Sequence, residues 1–232
     1  MRLRKEQRIP DVLLLLEHEP TITLGRGAHD SHLLASEQQL NTQGIHLART
    51  DRGGDVTLHA PGQLVAYPIL DLNSGHRDVR KYVRLLAETM QHVLSGFGLH
   101  AGQIEKYIGV WVDKATPHAW PGEDHLTSPV KVGAIGVKIS RWITMHGFAL
   151  NLSTDMNLFR LIVPCGISSH GVSSVSQLTS HSPLPEDCAA SAHSFLCERL
   201  VREPIMLAKP SEPVGVFKRL KDELIQFRST PG

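Results

Sequence analysis

The stretch Arg52-Gly53-Gly54-Asp55-Val56-Thr57-Leu58-His59-Ala60-Pro61-Gly62-Gln63 packs a glycine pair, a buried-type polar set and a Pro-Gly turn into one short run. Glycine pairs admit positive φ and let the backbone approach a ligand, while Arg52, Thr57, His59 and Gln63 supply polar groups around the turn. From Asp55 to Leu72 the composition is that of strand, interrupted at Ala60-Pro61-Gly62, a break that the middle of a central strand would not tolerate. Two strands joined by a shaped loop are expected. On composition the segment is either a ligand-contacting loop or a tight hairpin. It lacks G-x-x-x-x-G-K-[ST], so it is not a phosphate loop of that kind.

Upstream, Asp11 to Glu17 is a continuous apolar run closed by a turn at Pro20, which suits a buried strand, and Thr21 to Arg26 continues as a second. Downstream, Val79, Val83, Leu86, Met90, Val93 and Leu94 follow helical spacing over Asp78 to Gly96, with Gly96 and Gly98 as the stop. Tyr107 to Val112 reads as a strand. Asp113 to Pro129, with its prolines and little periodicity, reads as a surface loop of unusual length. Val132 to Ile139 and Ile143 to Leu152 form an expected hairpin. Arg160 to Ile167 is a short apolar run ending in Pro164-Cys165-Gly166-Ile167. A serine-rich approach from Ser168 to Ser182 then leads to a helix over Glu186 to Val201. A linker over Pro204 to Pro213 and an amphipathic helix over Val214 to Phe227 complete the chain. Strands and helices mix without strict β-α-β alternation, so the fold class is α+β, a mixed sheet flanked by helices.

The whole chain has 232 residues, 24 Lys+Arg against 23 Asp+Glu, which allows one sizeable domain or two small ones. A net charge of +1 gives no electrostatic basis for a nucleic-acid partner. Arg2, Arg4, Lys5 and Arg8 read as a solvated, partly frayed terminus, and the run Val12 to Leu16 is too short for a signal peptide or a membrane span. The three cysteines, Cys165, Cys188 and Cys197, are too few and too odd for a disulfide framework, which makes a reducing cytosol the expected compartment.

Three groups can carry chemistry. Lys131 enters the glycine-containing strand Lys131-Val132-Gly133-Ala134-Ile135-Gly136, where partial desolvation would suit acid-base work; a solvated strand-start lysine is the bland alternative. Cys165 sits where the chain turns out of an apolar run, either a nucleophile activated by a nearby base or an inert small side chain. Cys188 and Cys197 read as structural. His146, ahead of Gly147 in an apolar hairpin, is either a core or a site histidine. The histidines show no recognised ligand spacing, so no metal is expected.

Taken in order, these segments resemble the lipoyl(octanoyl) transferase family. The resemblance runs from about residue 9 to about residue 200. It rests on Leu16-Glu17-His18, Thr23-Leu24-Gly25-Arg26, the Arg52 to Gln63 stretch continuing into Tyr67-Pro68-Ile69-Leu70-Asp71-Leu72, and Gly109-Val110-Trp111. Lys131 with Ala134-Ile135-Gly136, then His146-Gly147-Phe148-Ala149-Leu150-Asn151 and Pro164-Cys165-Gly166, complete it.

The resemblance implies the catalytic fold of lipoate and biotin protein ligases over 1–201, with 202–232 as an extension. The family has a strand and a helix ahead of the segment that begins here near Arg8, and these are expected to be missing from this sequence. The resemblance implies a cytoplasmic, monomeric enzyme without a cofactor that takes octanoyl from octanoyl-acyl carrier protein. The acceptors would be lysines on lipoyl domains of 2-oxoacid dehydrogenases and on the glycine cleavage H protein. No nucleic acid or membrane is implied as a partner. Cys165 and Lys131 fall on the family's catalytic dyad. Arg52, Gly53, Gly54, Asp55, Val56, Thr57, Leu58 and His59 would line the acyl pocket with Ala134, Ile135, Gly136, Gly147, Phe148 and Ala149. Glycines 133, 136 and 147 would leave room for the chain, and the 113–130 loop would form a flap near Lys131. Alternative readings are an ATP-dependent lipoate or biotin ligase-like enzyme and a non-catalytic homologue that binds lipoyl domains.

Overall fold

A computed structural model gives the protein's structure and describes residues 1–73, 77–164 and 170–200, together with the backbone of 206–208. Every side chain of β1 (Val12–Leu16) is buried, so both faces of this strand are covered. Leu13 and Leu15 enter the main core, while Val12, Leu14 and Leu16 form a second apolar surface with Val65 and Ala149. A short helix, α1 (Arg2–Lys5), precedes it. This terminus is not loose: Arg4 Nε lies 2.7 Å from Asp11 Oδ1, and Lys5 Nζ donates to Ser140 Oγ at 2.9 Å. The frayed-end expectation is thereby corrected, because charge composition carries no record of these partners.

Next come β2 (Thr21–Leu24), α2 (Glu37–Thr42), β3 (His46–Arg49), β4 (Val56–His59) and β5 (Gln63–Ile69). The two expected strands on either side of Ala60-Pro61-Gly62 exist, but they do not form a hairpin. β4 pairs with β2 in a three-stranded sheet ordered β3-β2-β4, whereas β5 pairs with β1 in the large sheet. Gly62 makes the crossing with a φ of +82°, its N–H donating to Glu17 Oε1 at 2.6 Å.

The clearest helix, α3 (Val79–Ser95), begins at Asp78, whose carboxylate accepts the Lys81 N–H, and ends at Gly96. Its inward face starts at Tyr82 rather than at Val79, which is exposed. Beyond it lie β6 (Gly102–Ile104), β7 (Tyr107–Asp113), β8 (Pro129–Ser140), β9 (Ile143–Asn151), β10 (Gly171–Val172), α4 (Val175–Leu178), α5 (Pro185–Leu200) and β11 (Met206–Ala208). The large sheet is eight-stranded and mixed, ordered β11-β1-β5-β9-β8-β7-β6 with β10 parallel to β8. Helices α3 and α5 cover one face, and the main core lies between them and the sheet. Cys188 belongs to that core, in keeping with its structural reading.

Two expectations change here. Residues of the expected linker, Met206–Ala208, form a strand parallel to β1. The long loop is tied down at its base by Asp113, whose carboxylate accepts from the backbone N–H groups of Ala115, Thr127 and Ser128. Its far side reaches β6 and the end of α3: Pro117 O accepts from His100 N, and the Trp120 ring fills the space beside Gly102. These contacts lead away from Lys131, so the flap is not seen. The expected amphipathic helix over Val214 to Phe227 lies outside the described residues.

Candidate active site

Strand alternation builds a cavity of about 440 Å³ between the two sheets. On β2 and β4, Ile22, Leu24, Val56 and Leu58 turn into a second core, which leaves Thr21, Thr23, Thr57 and His59 on the cavity wall. Opposite them, Leu14, Tyr67, Ile69, Ala134 and Ala149 of the large sheet provide a mostly apolar floor. One wall can hydrogen-bond and the other can hold a hydrocarbon chain.

The glycine-rich loop closes one side. It is zipped to the segment after β2 by Gly25 N to Asp55 O (3.2 Å), Arg26 N to Arg52 O (3.0 Å) and Gly27 N to Gly54 O (3.0 Å). A side chain at Gly25 would stand 2.3 Å from Gly54 O, so this approach requires glycine. The Arg52 guanidinium is buried and donates to Thr23 O at 2.7 Å, Thr23 Oγ1 at 2.9 Å and Asp55 O at 2.7 Å. It braces the loop against β2. Gly53 N donates to Val137 O at 2.9 Å, laying the loop along β8 past the last β7 pair at Val110 and Gly133.

Lys131 reaches the cavity side through a bulge. The β7–β8 register steps from Val110↔Gly133 to Trp111↔Lys131, so Val132 is an extra residue on β8. Ile135 and Val137 pack against the main core, and unbroken alternation would send Lys131 the same way. The extra residue returns it to the other face. There Lys131 is 5% exposed, with its ammonium 5.0 Å from the centre of the Trp111 ring. Gly109, at φ +142°, makes the seat: a Cβ there would lie 2.9 Å from Lys131 Cε and 2.6 Å from Gly133 O.

Lys131 lines a second, very small cavity together with Gln63, Asn151, Phe159 and Pro164. This cavity shares Thr57, Ala134 and Ala149 with the large one. Cys165 lies outside the described residues, but Pro164 immediately precedes it. The segment before that is anchored: Val163 N donates to His32 O at 2.8 Å, and His32 Nδ1 lies 2.5 Å from Asp55 Oδ2 of the glycine-rich loop.

A chain of hydrogen bonds links the two cavities. His59 Nδ1 meets Gln63 Oε1 at 2.8 Å, Gln63 Nε2 donates to Asn151 Oδ1 at 2.8 Å, Asn151 Nδ2 donates to Ser173 O at 3.1 Å, and Ser173 N donates to Lys131 O at 2.9 Å. His18 Nε2 shares a hydrogen bond with the Tyr67 hydroxyl at 2.8 Å. Burial lowers the His59 pKa to about 4, lowers that of His18, and raises that of Tyr67 to about 12. All three therefore face the cavity uncharged near neutral pH, which suits an apolar occupant. Among the described residues, no group of three or more His, Cys, Asp and Glu gathers to hold a metal ion.

Of the residues expected in the pocket, Arg52, Gly54, Asp55, Thr57, His59, Ala134, Ile135, Gly136, Gly147, Phe148 and Ala149 line the large cavity. Val56 and Leu58 turn into the second core, and Gly53 is engaged with β8. The glycines do not serve as room for a chain. A Cβ at Gly133 would meet Met90 Sδ, one at Gly136 would meet Gly53 O, and one at Gly147 would meet Ala66 O. They let backbones and core side chains approach. His18, Tyr67 and Asn151 had been quoted in motifs without a role; the signal available for them is their place in alternating strand positions or beside one.

The lipoyl protein ligase A/B catalytic domain model matches residues 1–194. An octanoyltransferase of Myxococcus xanthus is 44% identical over 92% of this chain, although the chain spans only 57% of that protein's length. An octanoyltransferase of Chloroflexus aggregans is 42% identical over 88% of this chain and 87% of its own. In fold, the chain is similar to a bipartite lipoate protein ligase from Thermoplasma acidophilum, with a TM-score of 0.64, 16% identity, and coverage of 95% of this chain and 80% of that one. The matched residues take in the three-stranded sheet, the large sheet apart from β11, the bulge that seats Lys131 and the wall of the cavity, and the chain belongs to the lipoyl protein ligase A/B catalytic domain family.

Proposed function

We propose that the protein is an octanoyltransferase that moves an octanoyl group from acyl carrier protein to a lysine on a lipoyl domain. The single observation that carries this reading is the junction of two cavities. One is large enough for a hydrocarbon chain, and the other is lined by both Lys131 and Pro164, the neighbour of Cys165. The octanoyltransferase relatives supply the acyl group.

Neither step needs an external energy source: the first exchanges one thioester for another, and the second turns a thioester into a more stable amide. In the first, Lys131 takes the Cys165 thiol proton and the sulfur bonds to the octanoyl carbonyl carbon. The carbon–sulfur bond to the carrier breaks, and the carrier sulfur leaves as a thiol with the proton from Lys131. In the second, the amine of the target lysine attacks the same carbon and the bond to Cys165 breaks. The amine proton passes through Lys131 to the cysteine sulfur, restoring the enzyme. Partners are thus octanoyl-acyl carrier protein and lipoyl domains, and the compartment is the cytoplasm. No helix among the described residues is long and apolar enough to cross a membrane.

Intact-mass measurement after incubation with octanoyl-acyl carrier protein tests this. One labile octanoyl adduct is expected on the wild type and none on Cys165→Ser. Lys131→Ala is expected to fold and to slow acylation by about 10²-fold or more, in the range of general acid–base contributions. A Cys165→Ser enzyme that modifies a lipoyl domain at the wild-type rate would refute the mechanism.

A further inference from the structure

Along the β8–β9 hairpin, the large cavity begins at the pair Ala134 and Ala149, where it meets the cavity of Lys131. At its other end it is lined by His146, at the level of Val137, and by Met145 one pair further on. Three residues of strand cover about 10 Å. An extended chain advances about 1.2 Å per bond, as three bonds per peptide unit do, so an octanoyl group laid from Ala134 onward reaches about 9 Å. Its methyl end falls at His146.

Ordinary strand geometry would not put this ring there. Phe148 and Leu150 of β9 face the main core, and alternation would send His146 after them. Instead, His146 has a φ of +59°, a conformation that a non-glycine residue holds only when its surroundings enforce it. The enforcement is visible. Continuing the β5–β9 register places Pro68, which has no N–H, opposite His146, and the Thr144 side chain mends the ladder by donating to Pro68 O and accepting from Leu70 N. The His146 ring is turned to the cavity side, perpendicular to Tyr67 at a centroid distance of 6.1 Å. Asp51 holds it there through a hydrogen bond to Nε2 of 2.9 Å, while Lys138 binds the other carboxylate oxygen.

Resting on the octanoyltransferase reading, we infer that His146, clamped by Asp51 and Lys138, is the stop that sets acyl-chain length. It admits eight carbons and excludes longer chains. A longer chain must displace a ring that is hydrogen-bonded to a carboxylate, and a methyl end offers nothing in exchange for that bond. The clamp lies at the far end of the cavity from Lys131, so it governs length without touching the reacting atoms.

The test is single-turnover acylation from octanoyl- and dodecanoyl-acyl carrier protein, followed by intact mass, for the wild type, His146→Gly and Asp51→Ala. Glycine accepts the φ of +59° without strain. The dodecanoyl-to-octanoyl rate ratio is expected to rise about tenfold or more in His146→Gly and severalfold in Asp51→Ala. An unchanged ratio in either variant, once shown to be folded, overturns the proposal. If the wild type takes no octanoyl from the carrier, the activity reading fails on its own. Calorimetric binding of free octanoate and dodecanoate then reads the stop instead: a shift of preference toward dodecanoate in the variants supports it, and an unchanged preference overturns it.

Discussion

The Gln63 amide fixes the chemistry of His59. Both Nε2 protons are committed, to Leu58 O at 3.1 Å and Asn151 Oδ1 at 2.8 Å, so Oε1 faces the imidazole and His59 Nδ1 must be the donor. The tautomer is set by the sheet, and Nε2 is left as an acceptor. A histidine with a folded pKa of about 4 binds fewer protons than its unfolded counterpart between pH 4 and 6.5. Stability therefore rises with pH through that window and is lost as the solution is acidified. By linkage, lowering the pH from 7 to 5 costs about 2 kcal/mol from this residue alone. Urea denaturation of the wild type and His59→Gln at the two pH values checks it. The wild type should lose about 2 kcal/mol more than the variant, a difference set by the same linkage, and parallel losses would remove His59 as the cause. That Thr57 and His59 share a face was legible from alternation alone. That Val56 and Leu58 would leave the pocket follows from the same rule, which the resemblance to a family passed over by carrying the whole run into the site.

At the scale of elements, the long regular pieces were legible because their periodicity is repeated: α3 over seventeen residues and the β8–β9 hairpin declare themselves several times. Single departures do not. The extra residue Val132 changes no composition, yet it moves Lys131 from the core face to the cavity face. The short β3 is mostly exposed and has no apolar stripe to read. Gly109 is the companion of the bulge, and Gly109→Ala tests their partnership. A residue forced into φ +142° with its Cβ against Gly133 O should cost about 1–3 kcal/mol. It should also displace Lys131 and slow acylation about tenfold beyond any loss of folded enzyme. Denaturation and single-turnover kinetics on the same sample separate the two effects. Acylation at the wild-type rate in the folded variant would show that Gly109 does not seat the lysine.

For the whole molecule, the decisive fact is that β4 and β5, four residues apart in sequence, belong to different sheets. Local composition correctly finds both strands and the turn between them. It cannot choose their partners, because those are set by β1, β2 and β9, far away in the chain. The cavity exists only because that choice divides the run. The catalytic cysteine proposal, in contrast, stands on motif order and on the position of Pro164, which shares the small cavity with Lys131.

The loop between Asp113 and Pro129 has a bearing on solution behaviour. β6 is the outermost strand on its side of the large sheet, and such an edge offers unpaired amides to any passing chain. Trp120 packs beside Gly102, and Glu123 accepts the Glu105 N–H just beyond the strand. On this geometry the loop that reads as surplus length is expected to guard the β6 edge against self-association. Replacing residues 115–127 with a short glycine-serine turn should leave the Lys131 seat in place while producing concentration-dependent oligomers. Light scattering would detect them, and a shortened protein that stays monodisperse at high concentration would deny the loop this role.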